Sequence, residues 1–150
     1  MVELRLTHTF PAGTTLASMK RALIFRIYAF DVIARDAHCI RYRKVYNANP
    51  TLTTMLGVSS IMPLHETKFN EDGSIGTSVG GSIDTLGLHY EINIEYTRQS
   101  ESVEAVAIIR IDMTSLAVAE PLLLALMRRR FAEERALDEQ ALRETTSFGQ

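Results

Sequence analysis

The fold is decided by residues 88–113, LHYEINIEYTRQSESVEAVAIIRIDM. Apolar and polar residues alternate along both halves of this stretch, a period of two that is typical of strands with one buried face. Residues 98–101 interrupt the alternation and indicate a turn between two antiparallel strands. The predicted inward residues are Leu88, Tyr90, Ile92, Ile94 and Tyr96 in the first strand, and Ala105, Ala107, Ile109, Ile111 and Met113 in the second. The chain therefore contains a sheet with one apolar face.

The segment that follows predicts the longest helix of the chain. Pro121 suits its first turn, where the missing N–H costs nothing, and the helical pattern continues to about Arg143. Its apolar side carries Leu123, Leu124, Met127 and Phe131. Because the sheet is the only large apolar surface that the pattern predicts, we expect this helix to lie across the concave face of the sheet, with Met127 and Phe131 facing it.

Charged residues on the same helix are predicted to form its solvent face. The i,i+4 pairs are Arg129 with Glu133, Arg130 with Glu134, and Arg135 with Glu139. Residues 128–130 are all arginine and spread over more than half of the helix circumference, so they do not form one basic patch. We expect a single domain over residues 1–144 and a flexible tail over residues 145–150.

The N-terminal part predicts a strand followed by helix. The residues of the strand that face inward are Val2, Leu4, Leu6, His8 and Phe10. Thr14 is the predicted N-cap of a helical segment from about Thr15 to Ala34, in one piece or two.

The middle of the chain predicts three further strands. They cover residues 38–46, 61–69 and 77–84. The first has an inward face that consists of Ile40, Tyr42, Lys44 and Tyr46. Residues 70–73, NEDG, predict a hairpin turn in which Gly73 takes a positive φ.

This order of elements resembles the helix-grip fold of the START-like superfamily, also called SRPBCC, which includes polyketide cyclases and aromatases, lipid-transfer domains and plant allergens. The likeness is carried by residues 9–14, TFPAGT, by residues 70–73 leading into 80–83, GGSI, and by residues 116–121, LAVAEP. The resemblance implies an α+β fold in which a curved antiparallel sheet wraps around a long C-terminal helix. It also implies a deep cavity between sheet and helix for an apolar or aromatic ligand. The superfamily does not hold catalytic residues at fixed positions, so no active site is transferred to numbered residues here.

Composition and charge argue against several function classes. A net charge of −2 and a pI near 6.1 do not provide the positive field that nucleic-acid binding needs. Cys39 is the only cysteine, which excludes an internal disulfide and fits a reducing compartment. The N-terminus lacks the apolar core of a signal peptide, and no apolar run is long enough for stable membrane insertion. We expect a cytoplasmic protein with neither a metal nor a cofactor.

Three motif matches have simpler explanations. Residues 76–80, GTSVG, match the pattern G-x-S-x-G, but the segment after Ser78 predicts strand where a nucleophile elbow needs helix, so we expect a flexible or bulged strand. His65 begins an apparent H-E-x-x-H motif, which fails because residue 69 is Phe69. His89 and Glu91 lie on one strand face and could hold a metal ion, but the alternation predicts that this face points to solvent.

The tyrosines are the most informative candidates for a site. A buried phenol needs a hydrogen-bond partner, so several inward tyrosines indicate either a polar network or a ligand with oxygen atoms. His8 and Tyr90 are the candidate catalytic residues. The candidate ligand-binding residues are Tyr42, Tyr46, His65, Tyr96, Ile109, Ile111, Met127 and Phe131.

We therefore expect a protein that binds a hydrophobic, oxygen-bearing small molecule, such as a polyketide, a lipid or an aromatic metabolite. Two classes stay open. One is an enzyme, a cyclase, aromatase or dehydratase in which His8 or a tyrosine moves a proton within a pocket that folds the substrate. The other is a carrier or sensor without chemistry. A protein-interaction module is a third class, but it needs an exposed apolar patch that the sequence does not locate.

Overall fold

The computed structural model describes residues 2–43, 64–83, 88–113 and 120–148. The helices within these ranges are α1 (Leu16–Ile27) and α2 (Glu120–Phe148). The strands are β1 (Val2–Thr9), β2 (Asp31–Arg35), β3 (Cys39–Arg43), β4 (Leu64–Phe69), β5 (Ile75–Ile83), β6 (Leu88–Gln99) and β7 (Ser102–Met113). The ends of three predicted strands, with Lys44, Tyr46 and Asp84, lie outside the described residues.

The described strands form one antiparallel sheet in the order β1-β7-β6-β5-β4-β3-β2. Strands β2 to β7 are a meander in which each strand pairs with the next, and β1 pairs with β7. The sheet is curved and carries the long C-terminal helix, so the predicted helix-grip architecture is confirmed.

The hairpin of β6 and β7 has the predicted faces. Tyr96 lies opposite Ala105, and Ile92 lies opposite Ile109. Tyr96, Ala105 and Ile109 are buried, whereas Ile92 is half-buried. The chain reverses at Ser100, whose φ of 45° is the positive value that short hairpin turns require. The other predicted hairpin, between β4 and β5, is also confirmed, since Gly73 has a φ of 90°.

Helix α1 begins one residue later than predicted. The N-cap is Thr15, whose hydroxyl oxygen accepts from the Ser18 backbone N–H at 3.0 Å, while the Ser18 hydroxyl oxygen accepts from the Thr15 N–H at 2.9 Å. This reciprocal capping box satisfies two N–H groups that the first turn leaves free. Thr14, the predicted cap, donates its hydroxyl to the Pro11 carbonyl instead.

The predicted extension of this helical segment to Ala34 is wrong. Helix α1 ends at Ile27, and Asp31–Arg35 form β2, the edge strand of the sheet. Leu23, Ile27 and Phe30 follow helical spacing across this boundary, but the β-branched Val32 and Ile33 suit a strand that pairs with β3. The described residues between β1 and β3 therefore contain one helix and one strand rather than two helices.

Helix α2 lies across the sheet as predicted. Met127 and Phe131 line the same cavity as Ile109 of the sheet, which confirms that they face it. The helix continues past Arg143, the predicted end, so most of the predicted tail is helical. Thr145 and Thr146 donate their hydroxyls to the carbonyls of Ala141 and Leu142, at 2.8 Å and 2.7 Å, within this last part of the helix.

The core consists of two apolar clusters. The larger joins α1, the end of α2 and strands β3 to β7, and it includes Met19, Phe10 and Tyr96. The smaller joins β1, β7 and the start of α2 around Leu4 and Leu123. None of the helices in the described ranges is long and apolar enough to cross a membrane. The cytoplasmic location stays a prediction.

Candidate functional site

A cavity of about 90 Å³ lies between the sheet and the two helices. Its apolar wall includes residues of both clusters and of both secondary-structure types, namely Leu23, Ile27, Val79, Ile92, Ile94 and Ile109. A buried water needs roughly 10–15 Å³ of such space, so the cavity has room for several waters or for a small organic molecule.

Aromatic rings line one side of the cavity in a stack. The Tyr42 ring lies between Phe30 and His65, with centroids 6.1 Å and 5.2 Å away and interplanar angles of 22° and 18°. All three residues line the cavity. Offset stacking of this kind presents flat apolar faces, which suit a planar ligand.

The helix side of the cavity holds a buried ionic network. Arg26 of α1 donates from Nη2 to Glu134 Oε2 at 2.9 Å and from Nη1 to Asp138 Oδ1, both on α2. Asp138 is fully buried, and Glu134 is 8% exposed. Burial alone would lower the pKa of Arg26, but its attraction to Asp138 and its hydrogen bond to Glu134 outweigh burial and raise that pKa. The network joins the two helices through charges that water does not screen.

Tyr96 and Arg135 extend the network into the cavity. The Tyr96 hydroxyl donates to Asp138 Oδ2 at 3.0 Å, and the Arg135 Nε lies 2.9 Å from the same oxygen. Burial raises the pKa of Tyr96 well above its ordinary value, although Arg135 opposes this shift. The Arg135 guanidinium lies over the rings of Tyr96 and Phe131, at 5.4 Å and 5.2 Å from their centroids.

The sheet side of the cavity carries a short chain of hydroxyls. The Tyr42 and Thr67 hydroxyl oxygens are 3.4 Å apart, and Thr67 Oγ1 is 3.2 Å from Thr77 Oγ1. Burial raises the pKa of Tyr42, while the hydrogen bond with Thr67 opposes that shift. Both phenols therefore stay protonated at neutral pH and can donate a hydrogen bond.

Most of the predicted ligand-binding residues meet in this cavity. Those in its wall are Tyr42, His65, Tyr96, Ile109, Met127 and Phe131. They come from four strands and from α2, and the alternation of the strands predicted the inward positions of Tyr42, Tyr96 and Ile109. Their role toward a ligand stays a prediction.

The other predicted site residues lie elsewhere. His8 points to the helix side of the sheet as predicted, but its Nε2 lies 2.7 Å from Glu139 Oε1 and its ring packs edge-on against Phe10, outside the cavity lining. Tyr90 and Ile111 pack in the smaller cluster. Tyr46 lies outside the described residues. The two candidate catalytic residues are thus not in the cavity wall.

The tip of Tyr90 is held against the neighbouring strand. A Cβ placed on Gly81 of β5 would lie 2.9 Å from the Tyr90 hydroxyl oxygen, so the ring occupies the space that this glycine leaves open. Burial raises the pKa of Tyr90. Its ring therefore has a packing partner in the sheet rather than a place in the cavity.

Sequence reasoning missed the ionic network because it assigned these charges to the solvent face of α2. Arg130 does pair with Glu134 at 3.3 Å, but Glu134 is buried. Arg135 pairs with Asp138 rather than with Glu139, which pairs with His8. The sequence did contain a signal for this network, because residues 134, 135 and 138 lie at helical spacing on the same face of α2 as Met127 and Phe131. Only Arg129 with Glu133 is the exposed pair that was predicted.

The G-x-S-x-G segment forms a strand as predicted but not a bulged one, because the pairing of β5 with β4 and β6 has no register shift there. Ser78 lies in the middle of β5, opposite Glu66 and Asn93 of the adjacent strands, and the strand continues after it. The geometry of a nucleophile elbow is therefore absent at this serine. His89 and Glu91 are exposed, as the alternation predicted.

Solved structures share this fold at low sequence identity. TTHA0849 from Thermus thermophilus matches with a TM-score of 0.69 and 15% identity, covering 96% of this chain and 99% of that one. The di-domain ARO/CYC StfQ from the steffimycin biosynthetic pathway matches with a TM-score of 0.60 and 9% identity over 93% of this chain. Human StAR-related lipid transfer protein 5 matches with a TM-score of 0.60 and 12% identity, covering 96% of this chain and 76% of that one.

The likeness lies in the fold rather than in the sequence. This chain spans 49% of StfQ, about half of the di-domain protein. No family model matches the sequence, and no curated protein matches it either. The coverage of nearly the whole chain by START and ARO/CYC structures agrees with the order of helices and strands described above. The chain therefore has the START-like, or SRPBCC-like, helix-grip fold.

Proposed function

We propose that the cavity between the sheet and α2 binds a small hydrophobic molecule that carries at least one oxygen atom. The observation that carries this proposal is the composition of the cavity wall. Most of its lining in the described ranges is aliphatic or aromatic, and its polar groups, five of them charged, converge from α1, α2 and the sheet. Apolar surface with convergent polar groups is the usual make-up of a small-molecule site. Proteins named for lipid transfer and as ARO/CYC share the fold, which supports an apolar ligand.

Binding without chemistry is the role that the tyrosines support. An efficient general acid or base has a pKa near the working pH, whereas burial moves the pKa of Tyr96 and of Tyr42 upward, away from neutrality. The Tyr96 hydroxyl donates its proton to Asp138 Oδ2, so Tyr42 is the phenol that can donate to a ligand. A fixed donor of this kind suits a carrier or sensor that orients an oxygen atom of the ligand.

A pair of substitutions on one strand tests the site. Ile109→Phe adds volume to the cavity wall, whereas Ile108→Phe adds the same volume on the opposite face of β7. Native mass spectrometry of the purified wild-type protein should show a retained small molecule. After that molecule is removed, a fluorescence titration should show that the protein takes up an apolar probe. We expect Ile109→Phe to abolish retention and uptake and Ile108→Phe to preserve both.

Equal probe binding by the two variants would place binding outside the cavity and contradict the proposal. Because added core volume costs about 1–3 kcal/mol, circular dichroism and thermal unfolding must first show that Ile109→Phe is folded. Should it not fold, Val79→Leu makes a smaller intrusion from β5, and the same outcome is expected.

A second candidate is an enzyme of the cyclase type, and one observation favours it. His65 is 5% exposed, lines the cavity and stacks on Tyr42, so an imidazole is present beside the polar groups. If His65 moves a proton, His65→Gln should reduce turnover of a cyclisable substrate by about 10²–10⁴-fold while substrate binding changes little. A parallel loss of binding and turnover would identify His65 as a wall residue only.

A further inference from the structure

Arg135 is a buried cation whose hydrogen bonding is incomplete. Its residue is 5% exposed, it lines the cavity, and its Nη1 has no hydrogen-bond partner among the described residues. Its Nε lies close to Asp138 but outside hydrogen-bond geometry. Buried polar groups are nearly always hydrogen-bonded, and a guanidinium offers five donors in a fixed fork. An acceptor is therefore needed at this position.

The carboxylates nearby are already engaged. Asp138 Oδ1 accepts from Arg26, and Asp138 Oδ2 accepts from the Tyr96 hydroxyl. Glu134 Oε2 accepts from Arg26, and Glu134 Oε1 lies 3.3 Å from an Arg130 nitrogen. Each of the four oxygens has a partner, and none of them accepts from Arg135 Nη1, so an acceptor from outside the network would complete the hydrogen bonding of Arg135.

The charges that line the cavity favour an anion as this acceptor. Among the residues that the structure describes, they comprise the cations Arg26, Arg130 and Arg135 and the anions Glu134 and Asp138, three against two. Glu133 approaches Arg130 at 3.8 Å from the exposed side of the helix, where solvent screens it. One further negative charge inside the cavity would therefore balance its lining.

The rest of the cavity fixes the body of the ligand. Arg135 lies against the rings of Phe131 and Tyr96, and the opposite wall presents the stacked rings of Tyr42 and His65. A volume of about 90 Å³ suits one ring or a short aliphatic chain. The Arg135 guanidinium and the aromatic rings therefore lie close enough to contact the two ends of one small molecule.

We propose that this cavity binds a small carboxylic acid with an aromatic or short aliphatic body, and that Arg135 Nη1 donates to its carboxylate. The inference rests on the proposed function, because it assigns the chemical class of the ligand to the same cavity. Guanidinium and carboxylate match in geometry as well as in charge, which gives the pair its selectivity over neutral oxygen groups.

The wild-type protein, freed of any retained molecule, tests the inference without a substitution. Calorimetric titration with phenylacetate and with phenylacetamide compares two probes that share a shape and differ in charge. A charge-assisted hydrogen bond should make the acid bind about tenfold to a hundredfold more tightly than the amide. Octanoate and octanamide repeat the comparison with an aliphatic body. Equal affinities within both pairs would overturn the inference and would indicate that water satisfies Arg135.

Two variants assign the selectivity to one residue. Arg135→Gln should reduce the preference for acid over amide to less than about threefold. Arg129→Gln, six residues earlier on the same helix and exposed, should keep the wild-type preference. If Arg135→Gln does not fold, Arg135→Lys retains the charge but not the planar fork, and the preference should still fall at least severalfold. An unchanged preference in the folded Arg135 variants would assign the anion to Arg26 or Arg130 and contradict the proposal.

The outcomes separate this inference from the proposed function. Similar binding of acid and amide inside the cavity, lost in Ile109→Phe, would refute the acid selectivity and leave the cavity as the binding site. Failure of all four probes to bind at millimolar concentration, together with the absence of any retained molecule, would contradict both.

Discussion

The two walls of the cavity are built from different interactions. The sheet wall consists of aliphatic and aromatic side chains with a short chain of neutral hydroxyls, from Tyr42 to Thr77. The helix wall combines apolar residues such as Met127 and Phe131 with an ionic network, since Arg26, Glu134 and Asp138 are buried together between α1 and α2. The sheet wall offers contact area to a ligand, whereas the helix wall offers charge and fixed direction.

This difference has consequences for stability as well as for binding. Removal of a few apolar atoms from the sheet wall costs a graded amount that depends on how the site relaxes. Removal of one member of a buried ionic network leaves an uncompensated charge, and the penalty is abrupt. The helix wall should therefore be much less tolerant of substitution than the sheet wall.

The largest effect is expected for Asp138→Ala. This change removes one acceptor of Arg26 and the acceptor of Tyr96 at once, and it leaves Arg26 and Arg135 without the carboxylate between them. The free energy of unfolding should fall by about 3–5 kcal/mol, as measured by urea denaturation. Glu133→Ala, exposed on the same helix, should change it by less than about 0.5 kcal/mol. Similar losses of unfolding free energy in the two variants would show that the buried ionic network does not stabilise the fold more than an exposed ion pair does.

The architecture was predictable because strands and turns leave local signals. The period of two along β6 and β7 fixed which residues point inward, and Gly73 marked its hairpin through a positive φ. The end of α1 was not predictable from periodicity, because Phe30 continues the helical spacing past Ile27. Pairing of Asp31–Arg35 with β3 is a tertiary effect, and it decides the structure of that segment.

The sheet wall and the apolar part of the helix wall were predictable, since helical spacing placed Met127 and Phe131 on the inward side of α2. Tyr42 and Tyr96 were found because buried strand positions alternate with exposed ones, whereas His65 was a candidate without an assigned strand face. Arg135 and Asp138 were missed because charged residues on a helix are normally solvated, and their burial here depends on Arg26, more than a hundred residues away in the sequence. Helical spacing places residues 134, 135 and 138 on the face of Met127 and Phe131, but it does not show that Arg26 of another helix pairs with the charges there.

The second prediction concerns alkaline pH. Burial raises the pKa of Tyr96 and Tyr42 in the folded protein, whereas in the unfolded chain both ionise near pH 10. Their contribution to stability is therefore complete below pH 10 and is lost as the pH rises towards the folded-state values. Between about pH 10 and its folded-state pKa, each phenol should lower the free energy of unfolding by up to about 1.4 kcal/mol per pH unit.

Tyr96→Phe isolates this contribution. The variant should show a shallower loss of stability between about pH 10 and 11 than the wild-type protein, in chemical denaturation at each pH. An absorbance titration should also show one late-ionising phenol fewer. The same pH slope in both proteins would mean that Tyr96 ionises normally in the folded state.

A smaller effect is expected on the sheet wall. Ile109→Val removes one methyl group beside the cavity and should lower the free energy of unfolding by about 0.5–1.5 kcal/mol in urea denaturation. Binding of the neutral probe phenylacetamide should weaken only slightly, because the wall stays apolar. A loss as large as that of Asp138→Ala would remove the distinction between the two walls.

The smallest effect is expected for Tyr90→Phe. Tyr90 lies outside the cavity lining, with its hydroxyl beside Gly81, so the variant should bind phenylacetate and phenylacetamide within about twofold of the wild-type affinities in calorimetry. Tyr42→Phe, which alters a lining phenol, provides the comparison and should bind oxygenated probes more weakly. A greater loss of probe affinity in Tyr90→Phe than in Tyr42→Phe would show that Tyr90 belongs to the binding site.

Methyl-detected NMR of isoleucine-labelled protein tests the central claim most directly, because it locates a bound molecule without altering the chain. Phenylacetate and phenylacetamide should each shift the methyl signals of Ile92, Ile94 and Ile109, which line the cavity, and give intermolecular NOEs to them. Ile108 on the opposite face and the exposed Ile33 should not respond. Shifts and NOEs confined to Ile108 or Ile33 would show that the ligand binds on the outside of the sheet and would contradict the account.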